Sequence, residues 1–70
     1  MKKITINTEY ITLGQMLKMT SLISSGGEAK YYLFDNNVYV NNEEEGRRGR
    51  KLYPNDVIKI NDKEFIIIHA

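Results

Sequence analysis

The stretch Ile11-Thr-Leu-Gly-Gln-Met-Leu-Lys18 decides the fold, because it carries several signals for the start of a helix at once. Thr12 and Gln15 have the spacing of a capping box, in which two side chains satisfy backbone N–H groups at the helix start. Leu13, Met16 and Leu17 then repeat with the spacing of one helix face. The sequence therefore predicts a helix over residues 12–20 with one buried apolar stripe.

A second helix is expected after the break at Ser24-Ser-Gly-Gly27. Ser25 and Glu28 have the spacing of another capping box. Apolar residues at helical spacing follow at Ala29, Tyr32 and Leu33. We expect this helix to end at Asp35-Asn-Asn37, because asparagine tolerates the left-handed conformation that closes many helices.

Short strands and turns account for the rest of the chain. Alternating apolar residues predict strands at Lys3–Asn7 and Val38–Val40, and a hairpin of Val57–Ile60 with Glu64–Ile68. Turns are expected at Asn41-Asn42 and at Tyr53-Pro-Asn-Asp56. The predicted fold class is α+β: one domain over residues 1–70, in which an αα-hairpin packs on a small, mostly antiparallel sheet.

The composition argues against catalysis and against a metal site. The 70 residues include no cysteine and a single histidine, His69, which we expect to be frayed near the end of the chain. No serine has a histidine to activate it, and acids such as Glu43 and Glu45 are expected in exposed turns. We therefore expect a non-catalytic protein without metal or cofactor.

No part of the sequence predicts a membrane partner. No apolar run approaches the ~18 residues of a membrane span, and the start of the chain lacks a secretory apolar core. A cytoplasmic protein is the expectation.

The run Gly46-Arg-Arg-Gly-Arg-Lys51 concentrates charge in a chain whose formal net charge is only +1. Four cations fall within five residues, in a polar region that predicts a loop or hairpin rim. Such a cluster can contact several phosphates, and each contact releases condensed counterions. Gly46 and Gly49 would allow positive φ and a close approach of the backbone. A solvated charge run, partly neutralised by Glu43–Glu45, explains the same pattern.

The start of the second helix is a candidate anion site. Gly26 and Gly27 would expose backbone N–H groups there, and Lys30 lies in the first turns. A plain connecting loop is the alternative, and the Gly-Lys-Ser/Thr ending of a P-loop is missing. Tyr31, Tyr39 and Tyr53 are similarly ambiguous, since they could stack on bases or pack in the core and its rim.

Taken in order, these segments resemble the S4 (S-four) RNA-binding domain, also called the αL motif. The small stand-alone bacterial members of the YaaA type are the most similar. The resemblance covers residues 11–60, and it rests on residues 12–18, 26–30, 38–41, 47–52 and 55–58. It implies an RNA-binding face made by the helix pair and the following hairpin, with family positions at Gly26, Gly27, Lys30, Val38, Val40 and Asn41.

This sequence departs from the family pattern at several positions. Asn42 and Asn55 replace glycines, and both exchanges suit positive-φ positions. The family's Arg-Leu-Asp in the first helix reads Thr12-Leu-Gly14, and its Ser-Arg pair at the second helix reads Gly26-Gly27. Because the usual helix-borne arginines are missing, binding would depend on the basic run, with Lys30 and Lys18 beside it.

The predicted function is the recognition of structured RNA through shape and phosphate contacts. By resemblance, the RNA partner is ribosomal RNA or a ribosome-associated particle, and ribosomal or other proteins are further candidate partners. The predicted contact residues are Lys18, Gly26, Gly27, Lys30, Asn41, Arg47, Arg48, Arg50 and Lys51. The alternatives are an adaptor that docks on an acidic protein and a DNA-binding module.

Overall fold

A computed structural model describes all residues from 1 to 70 and shows an α+β fold. The elements are β1 Lys2–Ile6, β2 Ile11–Thr12, α1 Leu13–Met19, a 3₁₀ turn Gly26–Glu28, α2 Ala29–Asp35, β3 Val38–Val40, β4 Glu43–Glu44, β5 Lys51–Leu52, β6 Val57–Ile60 and β7 Lys63–His69. One sheet has the order β1-β7-β6-β3-β4, and β2 pairs with β5 in a second. Only β1 and β7 run parallel, so the mostly antiparallel prediction is confirmed.

Helix α1 begins with the predicted capping box. The Gln15 N–H donates to Thr12 Oγ1 at 3.2 Å, and the Thr12 N–H donates to Gln15 Oε1 at 2.8 Å. Leu13, Met16 and Leu17 are fully buried, as their spacing predicted. At the other end the Thr20 hydroxyl donates to the carbonyl of Met16 at 3.0 Å, which satisfies a carbonyl of the last turn.

The second predicted capping box is wrong. The Ser25 side chain makes no capping hydrogen bond; instead the Glu28 N–H donates to the Ser25 backbone carbonyl at 3.1 Å. The chain tightens into the 3₁₀ turn there, so backbone groups satisfy each other without the hydroxyl. The buried stripe of α2 is confirmed at Ala29 and Leu33, with Tyr32 partly buried.

The predicted left-handed end of α2 is also wrong. Asn36 is extended, with φ −129° and ψ 149°. Its backbone N–H and its side-chain Nδ2 both donate to the carbonyl of Tyr32, at 3.0 and 2.9 Å. The side-chain amide thus caps the helix without a positive φ.

Four asparagines do take positive φ, all of them in turns. They are Asn41 at 51°, Asn42 at 70°, Asn55 at 80° and Asn61 at 55°. The turns predicted after β3 and before β6 are therefore confirmed. No glycine has a positive φ, so Gly46 and Gly49 do not use the freedom expected of them.

The core lies between the helix pair and one face of the five-stranded sheet. Sixteen of its 17 buried residues are apolar, and the exception is Glu45. Strands β1, β6 and β7 contribute alternate residues, such as Ile4 and Ile6 from β1. His69 is not frayed, because it pairs with Ile6 at the end of the parallel ladder. Neither helix is long and apolar enough to cross a membrane.

Candidate nucleic-acid interface

The basic loop, residues 46–51, is fastened to the start of α1. The Leu13 N–H donates to the Arg50 carbonyl at 2.8 Å, and the Gly14 N–H donates to the Arg48 carbonyl at 2.9 Å. The first amides of a helix have no partner within the helix, so the loop supplies it. A Cβ atom at Gly14 would lie 3.4 Å from the Arg48 carbonyl oxygen, so the loop packs closely against α1 at this residue.

Glu45 fixes the loop from the other side. Its carboxylate accepts from Arg47 Nε at 2.9 Å, Arg47 Nη2 at 3.1 Å, the Arg47 backbone N–H at 3.1 Å and Arg50 Nη1 at 2.8 Å. The side chain is only 7% exposed, so the prediction that it lies in an exposed turn is wrong. Glu43 and Glu44 are exposed, but in strand β4.

The two arginines lower the pKa of the Glu45 carboxyl group. Hydrogen bonds from Arg47 are the largest cause, burial opposes them, and Arg50 adds to them; together they lower the pKa of Glu45 from 4.5 to about 2. The same contact raises the pKa of Arg47. Glu45 is therefore ionised at neutral pH and neutralises part of the charge of two loop arginines.

The other two loop cations have no carboxylate within 4.0 Å, since the only ion pairs are those of Glu45 with Arg47 and Arg50. Arg48 is exposed. Lys51 Nζ lies 5.0 Å from the centre of the Tyr10 ring, within the range of a cation–π interaction. Arg48 and Lys51 therefore carry the charge that is most available to a ligand.

Three hollows border the basic loop. The predicted contact residues that line them are divided among the three. The first contains Lys18, Gly26, Arg48 and Gly49 together with Thr12, Gly14 and Gln15 from the start of α1. The second contains Lys30 and Gly46 beside Tyr31, Leu33 and Phe34. The third contains Arg47, Gly49, Arg50 and Lys51 with Tyr53 and Asp56. The loop is thus a cationic ridge between three concave surfaces.

Gly26 and Gly27 lie on the open side of the 3₁₀ turn. Nothing lies within 4 Å of the position that a Cβ atom would take at either residue. A strand could therefore approach their backbone closely, as the candidate anion site requires. Only Gly26 lines the hollow that holds Lys18 and Arg48.

Asn41, by contrast, uses its side chain within the fold. Its Nδ2 donates to Asp56 Oδ1 at 3.0 Å, and its Oδ1 accepts from the Val57 N–H at 2.9 Å. The Tyr53 N–H donates to the second Asp56 oxygen at 2.8 Å. Asn41 thereby holds two turns together beside the basic loop, which is a positioning role.

The ambiguous tyrosines fall into three settings. Tyr53 packs on Tyr10 with ring centres 5.7 Å apart, and Tyr39 is half-buried in β3. Tyr31 is exposed on α2.

No group of three histidine, aspartate or glutamate side chains is placed to hold a metal ion.

The sequence indicated partial neutralisation of the basic run by Glu43–Glu45, but it did not single out Glu45 as the buried partner of Arg47 and Arg50. The backbone bonds from the loop to α1 were also missed. Carbonyl groups carry no sequence signal, so the bonds from Arg48 and Arg50 to α1 could not be found from residue types.

The helix pair on a small sheet, followed by the basic loop, agrees with the resemblance of the sequence to the S4 domain. The family model described as S4 domain matches residues 4–68, and the chain belongs to this family. A relative from Bacillus subtilis (strain 168), described as "Probable ribosome maturation protein RlbA", is 56% identical over 57 residues. That match covers 81% of this chain and 80% of the relative.

Proposed function

We propose that this protein binds structured RNA without catalysing a reaction, and that the RNA belongs to the ribosome or to a particle associated with it. Membership of the S4 family supports this proposal, as does the ribosome maturation role named for the relative. The observation that carries it is the basic loop, whose backbone is fixed on α1 and whose Arg48 and Lys51 face no carboxylate.

The fixed loop suits phosphate recognition. Because the bonds to Leu13 and Gly14 and the Glu45 clamp already order the loop, binding does not have to order it. Lys18 and Arg48 line the same hollow as Gly26, and nothing lies within 4 Å of the position that a Cβ atom would take at Gly26. A sugar–phosphate backbone lying in this hollow would contact two cations at once. The counterions condensed on the two neutralised phosphates would then be released.

The double variant Lys18→Gln/Arg48→Gln tests this contact. Each lost phosphate contact should reduce the slope of log affinity against log salt by about 0.7–0.9, so we expect a reduction of about 1.5. The matched control is Lys59→Gln/Lys63→Gln, which removes the same charge from β6 and β7. Lys59 lines a hollow with Asn37 and Tyr39 that no basic-loop residue borders.

Titrations against one structured RNA at several salt concentrations supply both slopes. Equal slopes in the two variants would show that the protein responds only to net charge, and the proposed contact would fall. Competition by RNA, DNA and heparin in the same assay separates RNA binding from the two alternatives. An adaptor for an acidic protein or a DNA-binding module would not prefer RNA over both competitors.

The anion site at Gly26 and Gly27 has its own test. Gly27→Val places a branched side chain in open space, so it should leave the core intact while blocking the approach of a phosphate. We expect the variant to bind RNA more weakly than the parent, and the loss of affinity should exceed what its loss of unfolding free energy explains. If a folded Gly27→Val variant binds RNA as tightly as the parent, this turn only connects the two helices.

A further inference from the structure

Two aromatic side chains of α2 remain on the surface. Phe34 is 88% exposed and Tyr31 is 68% exposed. They are three residues apart on the helix and therefore share a face. Burial of a phenylalanine side chain stabilises a fold, and Phe34 gains almost none of this stabilisation. Stability of the isolated domain does not account for this residue.

The exposed pair borders the second hollow beside the basic loop. Leu33, which is nearly buried, lies between the two aromatic residues in the sequence and joins them in the lining. Lys30 and Gly46 complete the lining of the hollow. The space beside Gly46 is open, because nothing lies within 4 Å of the position that a Cβ atom would take there. An apolar surface therefore lies directly against the cationic Lys30.

We propose that this hollow binds an unpaired base of the RNA, which stacks on Phe34 and Tyr31 while a neighbouring phosphate meets Lys30. This inference rests on the proposed function and adds a second contact to it. Sequence-specific and single-stranded RNA contacts commonly place splayed bases on aromatic side chains. The flanking Lys30 favours this occupant over an apolar protein segment.

The test compares two RNA ligands with equal numbers of phosphates, a duplex with an unpaired bulge and a fully paired duplex. The parent should bind the bulged RNA more tightly. Phe34→Ala and Tyr31→Ala should each weaken binding to the bulged RNA by about 5- to 100-fold, and binding to the paired duplex should not change. The salt slope should stay at the parent value, because no phosphate contact is removed. Phe34→Leu keeps the apolar surface without the ring and should lose most of the same affinity.

Each other result overturns the inference. Parent affinity of Phe34→Ala for the bulged RNA would remove the stacking contact, and an equal loss on both RNAs would assign the residue to shape recognition. Unchanged RNA binding with lost association to ribosomal particles would make the hollow a protein-docking site. Because Lys18→Gln/Arg48→Gln is measured on the same RNAs, a failure of stacking alone is distinguishable from a failure of RNA binding altogether.

Discussion

Glu45 is the one charged side chain in the core, and its contacts explain why the basic loop holds its shape. Removal of one partner from a buried ion pair leaves the other unpaired, which is costly. Neutralising Arg47 and Arg50 would therefore disturb the fold as well as the charge. A variant meant to make the loop more cationic should change Glu43 and Glu44, which are exposed, and should keep Glu45.

The lowered pKa of Glu45 predicts a pH dependence of stability. Its folded pKa of about 2 lies below the ordinary value of 4.5, so the unfolded chain takes up the proton first. The stabilisation is complete above about pH 4.5 and is lost as the pH falls towards about 2. We expect about 1–3 kcal/mol at neutral pH, towards the lower end because solvent screens the exposed Arg47.

Urea denaturation of the parent and of Glu45→Gln at pH 7 and at pH 3 measures this contribution. The variant should be less stable at pH 7, and the difference should shrink at pH 3. An equal difference at both pH values would mean that the carboxylate charge does not stabilise the loop.

Thr12 offers a test of the helix start. Thr12→Ala removes the acceptor for the Gln15 N–H, and the loss of such a cap typically costs about 1 kcal/mol. Urea denaturation should show a lower midpoint with an unchanged slope. If the midpoint equals that of the parent, solvent replaces the hydroxyl and the capping box does not stabilise α1.

At the scale of elements, side-chain spacing predicted the structure well where a segment contains both partners of its hydrogen bonds. The Thr12 and Gln15 pair formed as expected because both groups lie within one helix turn. Ser25 and Glu28 have the same spacing, but the 3₁₀ turn satisfies the Glu28 N–H through a backbone carbonyl. Side-chain spacing cannot distinguish these two outcomes, since both close the same turn.

The construction of the candidate interface could not be predicted from the sequence, and contact of the predicted residues with RNA stays a prediction. The cations of the basic loop were visible in the sequence, whereas the burial of Glu45 depends on how the chain folds back over α1. Three consecutive glutamates look alike in the sequence, and only tertiary packing makes one of them different. For the same reason Lys18 and Arg48, which are far apart in the chain, could not be placed in one hollow.

At the scale of the whole molecule, the α+β class followed from the patterning, but the partner of β1 did not. Alternation at Ile4 and Ile6 identifies a strand and its buried face without naming its neighbour. The structure pairs β1 with β7 alone, in parallel, across nearly the whole length of the chain. The hairpin of β6 and β7 is local by comparison.

This difference in sequence separation predicts different kinetic effects of core truncations. A contact between distant segments has to close a long loop, so we expect β1 to dock late. Ile4→Val should then raise the unfolding rate about fivefold for a loss of about 1 kcal/mol and leave the folding rate nearly unchanged. Ile58→Val in β6 is the control and should also slow folding. Stopped-flow chevron plots measure both, and slower folding of Ile4→Val would contradict late docking.

The pairing of β1 with β7 also has a consequence for biosynthesis. A growing chain makes β1 before the other elements described above, and makes β7, the strand that covers its edge, after them. Ile4 and Ile6 therefore stay without their sheet partner until β7 has been made. We expect the nascent protein to become protease-resistant only after β7 has left the exit tunnel, and resistance of shorter stalled chains would contradict this.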